Sequence, residues 1–132
     1  MDLSHCIPTG KFDVAAVQRA AQIGLPGINP ILGDLLEWLQ DYNWPVASAI
    51  HDLLKDAGPE IVPHIEAILS SDDEIWKYWV LALVEDLPRQ TLDELDVNLF
   101  VRISENPTDT EREEEIDTSA AQVLEIIGPK QL

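Results

Sequence analysis

Three histidines, one cysteine and a dense block of carboxylates are the residues of this chain that bear on chemistry. A nucleophilic site needs Ser, Cys or Thr beside an oriented base, and Cys6 with His5, His51 or His64 has no spacing that supplies one. His5 and Cys6 are placed in a loose terminal segment. A metal cluster built from His51, Asp52, His64 and Glu66 lacks both the H-E-x-x-H helix and the D-x-D-x-D-G loop that hold such ions. Gly24-Leu-Pro-Gly27 has the spacing of a G-x-x-G phosphate clamp, but the proline inside it makes it a turn. There is no Walker loop and no dinucleotide fingerprint. No catalytic residue, cofactor or metal is expected, and the chain reads as a binding protein rather than an enzyme. The alternative is a small-ligand or metal-binding protein, or an enzyme, using a cleft lined by Trp44, His51, His64, Tyr78 and nearby carboxylates.

The densest feature is the run over residues 105–117, where seven acids stand against Arg112. One reading is a solvated loop and an acidic first helical turn, which suits the positive end of the helix dipole. The sharper reading makes Glu111, Glu113, Glu114, Glu115 and Asp117 an electrostatic landing site for a basic protein. Trp38, Tyr42 and Trp44 are the second candidate binding face, as an exposed aromatic patch.

The whole composition points the same way. Twenty-five Asp and Glu against eight Lys and Arg give a formal charge of −17, which repels phosphate backbones and anionic lipid headgroups. Neither nucleic acid nor a membrane surface is an expected partner. A single cysteine excludes an internal disulfide and a cysteine-based zinc cluster, in keeping with a reducing compartment. No basic segment followed by an apolar run opens the chain, and no stretch approaches a membrane span, so a cytoplasmic setting is expected.

Proline and glycine cut the sequence into helix-length pieces at Gly24-Leu-Pro-Gly27, Asn29-Pro30, Asn43-Trp-Pro45, Gly58-Pro59, Leu87-Pro88, Asn106-Pro107 and Gly128-Pro129. Between them the apolar period is helical: Ile31, Leu32, Leu35, Leu36 and Leu39 form one stripe, and Val46, Ala47, Ile50, Leu53, Leu54 and Ala57 another. Ser71-Asp-Asp-Glu74, Thr91-Leu-Asp-Glu94 and Thr108-Asp-Thr-Glu111 have the form of capping boxes. About seven helices follow, at roughly 11–23, 30–41, 44–57, 60–70, 72–86, 91–105 and 110–127.

Seven apolar positions recur at a spacing of 30: Ile31/Ile61, Leu32/Val62, Leu35/Ile65, Leu39/Leu69, Ile50/Val80, Leu53/Leu83 and Leu54/Val84. Paired helices of this kind bury both apolar faces only when neighbours stack. The expected fold is all-α, a short α-solenoid of stacked antiparallel hairpins in a single domain over 1–132. Residues 1–27 form an N-terminal helix and linker, 28–58 and 59–88 two repeats, and 89–128 a divergent third repeat. The helix beginning at Ile75 is apolar nearly all round and is assigned to the middle of the stack, with Trp76 and Trp79 in the core and Lys77 and Tyr78 facing a solvent groove.

The stretch Leu36-Glu-Trp-Leu-Gln-Asp-Tyr-Asn-Trp-Pro45, with Gly58-Pro-Glu-Ile-Val-Pro-His-Ile65, Asp73-Glu-Ile-Trp-Lys-Tyr-Trp-Val80 and Asn106-Pro-Thr108, resembles a small bacterial family of unknown function. The resemblance implies HEAT-like helical repeats and brings no catalytic residues with it. Trp44 before Pro45 is biased away from the α region, so Trp44 or Asn43 caps the helix that starts at Pro45. The functional expectation is an acidic helical-repeat module that binds a protein with a basic surface, an immunity protein neutralising a basic bacterial toxin being one form of it. Homo-oligomerisation is compatible with the same surface.

Overall fold

The computed structural model describes residues 2–128, and every regular element in that span is helical. Methionine 1 and residues 129–132 of the expected domain, with the proline of the Gly128-Pro129 breaker, lie outside the described residues. Nine α-helices occur among the described residues: α1 (Val14–Ile23), α2 (Leu32–Leu36), α3 (Pro45–Leu54), α4 (Val62–Leu69), α5 (Glu74–Val84), α6 (Arg89–Leu92), α7 (Val97–Glu105), α8 (Asp109–Glu113) and α9 (Ile116–Ile127). The expected count of seven is corrected upward because two long segments are broken. The segment expected over 91–105 is divided between α6 and α7, and Asp96 starts the latter by accepting the Asn98 amide at 3.0 Å. The segment expected over 110–127 is divided by Glu115, a non-glycine residue with φ of 61°, where the chain turns from α8 into α9.

Local chemistry explains most helix starts. Asp13 and Asp73 accept the amides of Ala16 and Trp76 at 3.3 and 3.1 Å, capping α1 and α5. Pro45 opens α3 and Trp44 precedes it in extended backbone, as the Asn-Trp-Pro sequence requires. Of the three expected capping boxes, only Thr108 with Glu111 is reciprocal. Asp73 displaces Ser71 as the cap of α5, and Thr91 lies inside α6 with its hydroxyl donating 2.6 Å to the Ala57 carbonyl.

The two segments offset by 30 residues share a local form. Each opens with a proline-containing 3-10 turn, Asn29–Ile31 or Pro59–Ile61, and runs directly into α2 or α4. Every matched pair places both partners in the interior except Leu53, which is half-buried opposite its buried counterpart Leu83. One hydrophobic cluster extends from Leu3 to Ile127, with Leu35, Leu36, Ile50, Leu54, Ile65, Leu69, Leu81 and Phe100 fully enclosed. Cys6 belongs to it, so the terminal segment packs tightly instead of lying loose. In the second half, α9 packs on α7 and α5, and the Arg89 guanidinium donates to the last carbonyls of α9, those of Ile126 and Ile127.

The helix α5 departs from its expected environment. Ile75 is 57% exposed and Tyr78 is 38% exposed, and Trp79 with Trp76 is half-buried. The amphipathic division runs between Val80, Leu81, Leu83 and Val84, which are inside, and the outward row of Ile75, Tyr78 and Trp79 at i, i+3, i+4 spacing. Lys77, expected in a solvent groove, is buried at 4% exposure. Its reason lies in α8.

Candidate functional site

A carboxylate with no water access survives only when paired, and Glu111 at 0% exposure shows how. Its Oε1 accepts from Arg102 Nη1 at 2.5 Å and from the Thr108 amide at 2.8 Å, while its Oε2 accepts from Lys77 Nζ at 3.2 Å and Arg102 Nη2 at 3.1 Å. Glu74 closes the network with a 2.6 Å contact to Lys77. Burial pushes the Glu111 carboxyl upward, but Arg102, the Thr108 amide and Lys77 outweigh it and bring it from 4.5 down to about 2. The first residue of the expected landing site is therefore a structural anion. Its side chain is committed to α5 and α7 and reaches no solvent.

Glu113, Glu114 and Glu115 are exposed, and among the described residues none of the three is paired with a cation. Asp117, in the first turn of α9, is half-buried. The three glutamates form one wall of a notch of about 320 Å³, and Ile75, Tyr78 and Trp79 of α5 form the other. The buried ion pair links the two elements that carry these walls, Lys77 immediately preceding Tyr78 and Glu111 lying two residues before Glu113.

The aromatic candidates are not an open patch. Trp38, Tyr42 and Trp44 are half-buried and packed against the core. Trp38 meets Trp44 edge-on at 5.5 Å, and Tyr42 stacks on Trp79 at 4.5 Å, with Tyr78 edge-on to Trp79 at 4.9 Å. Tyr42 thus reaches the notch only through Trp79.

The cleft residues are distributed. His51 Nε2 lies 2.8 Å from Asp86 Oδ2, and its buried Nδ1 has no hydrogen-bond partner. His64 lines a different depression with Gly33 and Trp76, and Tyr78 lines the acidic notch. Among the described residues no three His, Cys, Asp or Glu side chains converge as a set of metal ligands. No described helix is long and apolar enough to cross a membrane.

The signal that would have found the buried node is Thr108-x-x-Glu111, which the sequence offers as a capping box; a Glu in that role is turned back toward its own helix start. Nothing local in the sequence pairs it with Lys77, 34 residues away. None of the curated proteins matches the chain. The family DUF5071, a domain of unknown function, matches residues 6–124. That match takes in most of the 132 residues, and the protein belongs to the DUF5071 family.

Proposed function

We propose that the protein is an acidic helical-repeat module that binds another protein through a basic surface of that partner. The observation that carries this is the distribution of charge. Of the seven lysines and arginines among the described residues, Lys55, Lys77, Arg89, Arg102 and Arg112 are in ion pairs, Arg19 donates to the His5 carbonyl and Lys11 lies over the Phe12 ring. Most of these cations are already paired with acids of the same chain, and the excess of acids is left unpaired. Such a surface draws oppositely charged proteins at long range and repels nucleic acid and anionic membranes. The recurrence of a 3-10 turn running into a helix at 29–36 and 59–69 supports a stacked-repeat, HEAT-like arrangement for the scaffold. In a bacterial cytoplasm, an immunity protein that neutralises a basic toxin is a specific form of this role.

The test is affinity capture from the native organism at low and at physiological salt, followed by mass spectrometry. A stoichiometric basic protein whose recovery falls as salt rises is the expected result. Capture of an acidic partner, or of none at either salt, contradicts the proposal.

A further inference from the structure

Resting on the basic-partner reading, we infer that the notch between α5 and the α8–α9 elbow is the docking point, and that it receives an arginine-bearing segment of the partner protein. Three features of the notch select that chemistry. Its helical wall is apolar and aromatic, with Ile75 and Tyr78 substantially exposed and the Trp79 ring braced by its stack on Tyr42. Its other wall is Glu113, Glu114 and Glu115, whose carboxylates form no ion pair among the described residues. Its volume, about 320 Å³, lies at the small end of ligand sites, enough for one or two long side chains.

A guanidinium satisfies both walls at once. It is planar and weakly hydrated, stacks on aromatic rings, and presents a fork of donors that matches a carboxylate. An ammonium is a compact, strongly hydrated point charge and gains less from the aromatic wall. Other occupants fit less well. A second copy would bring three uncompensated glutamates against a molecule of charge −17. A free small cation would stay largely in water, because a site with Ile75 57% exposed does not enclose its ligand. A partner surface supplies the missing cover itself. The left-handed conformation of Glu115 also fits this account, since it turns the chain at the notch and leaves the Glu115 side chain outside the helix start.

The test uses the full chain and two probes, a short alternating Arg-Ser peptide and its Lys-Ser counterpart, titrated at physiological salt by calorimetry. The Arg peptide is expected to bind about threefold or more tighter than the Lys peptide. Tyr78→Leu, which keeps apolar bulk, should erase that preference, and Glu114→Gln should weaken both peptides by about threefold or more. Asp56→Asn, in a separate depression beside α1, should leave both affinities unchanged. Circular dichroism of each variant confirms that the helices are intact. If Asp56→Asn weakens binding as much as Glu114→Gln, or if the Arg preference is absent in the native chain or survives Tyr78→Leu, the notch is overturned and the general basic-partner reading stands. If neither peptide binds, both readings fall. A native dimer in sedimentation that Ile75→Ser dissolves would identify a second copy as the occupant and overturn the arginine assignment.

Discussion

Between residues 28 and 88 the interior is built from aliphatic side chains that repeat, Leu35 with Ile65 and Ile50 with Val80, and each lies where a stripe at helical spacing puts it. Beyond residue 89 the interior also holds Thr91 and Glu111, and the chain turns on an exposed, left-handed Glu115. Lys77 is the buried cation of the first region, and its buried partner Glu111 belongs to the second. The contrast teaches that an ion network is added, where the second region meets the first, to the apolar packing that both share. Apolar burial is non-directional and tolerant of small changes in shape, whereas a buried ion network depends on every member being present.

The largest effect should come from removing the anion at the centre of that network. Glu111→Ala leaves Lys77 buried against Glu74 alone and removes the acceptor of the Thr108 amide, so a loss of about 3 to 5 kcal/mol is expected in denaturant titration. Ile65→Val in the first region should cost only about 0.5 to 1.5 kcal/mol, because the neighbouring aliphatic groups relax around a missing methyl. Equal losses at the two positions would erase the distinction between the regions.

The same node predicts a pH dependence. Because the folded Glu111 carboxyl is lowered from 4.5 to about 2, its contribution is complete above the unfolded value and is lost as pH falls from about 4.5 through about 2. At about 1.4 kcal/mol per unit, and discounted because Arg102 is 40% exposed, the contribution is about 1 to 3 kcal/mol. Glu111→Gln should flatten the acid limb of the stability curve by that amount, and an unchanged limb would contradict the assignment.

Two smaller effects sharpen the contrast. Thr91→Val leaves the buried Ala57 carbonyl without its side-chain donor and should cost about 1 to 2 kcal/mol by thermal unfolding. Glu115→Asn places a residue that tolerates left-handed backbone at φ of 61°, and should be neutral or stabilising by about 0.5 to 1 kcal/mol. Destabilisation by Glu115→Asn would show that the Glu115 side chain holds the elbow together.

How far the sequence could be read follows from the same division. Helical class, the apolar stripes and the Trp44-Pro45 start depend on neighbours within one or two turns, and the residues involved declare themselves by spacing. The partition of the acidic run depends on tertiary contact. Glu111 and Glu113 are the same residue type two positions apart, one sealed by Lys77 and Arg102 and the other in water. The outward row of Ile75, Tyr78 and Trp79 was hidden for a related reason. Lys77 sits among apolar residues, so the helix reads as apolar all round until the buried lysine fixes which side faces α8. Likewise, Asp73 and Asp96 cap their helices in competition with Ser71 and Thr91, and only the backbone geometry decides between such neighbours.

One acidic run divides into Glu111, which holds the fold, and the exposed Glu113, Glu114 and Glu115, which we propose face a partner. The most direct measurement compares Glu111→Gln with the triple variant Glu113→Gln, Glu114→Gln, Glu115→Gln, each followed by denaturant titration and by Arg-Ser peptide titration at physiological salt. The account predicts that Glu111→Gln loses about 2 kcal/mol or more of stability, while the triple variant stays within about 0.5 to 1 kcal/mol of the native chain and loses most of its peptide affinity. A triple variant that binds the peptide as well as the native chain does, or a Glu111→Gln chain as stable as the native one, would contradict it.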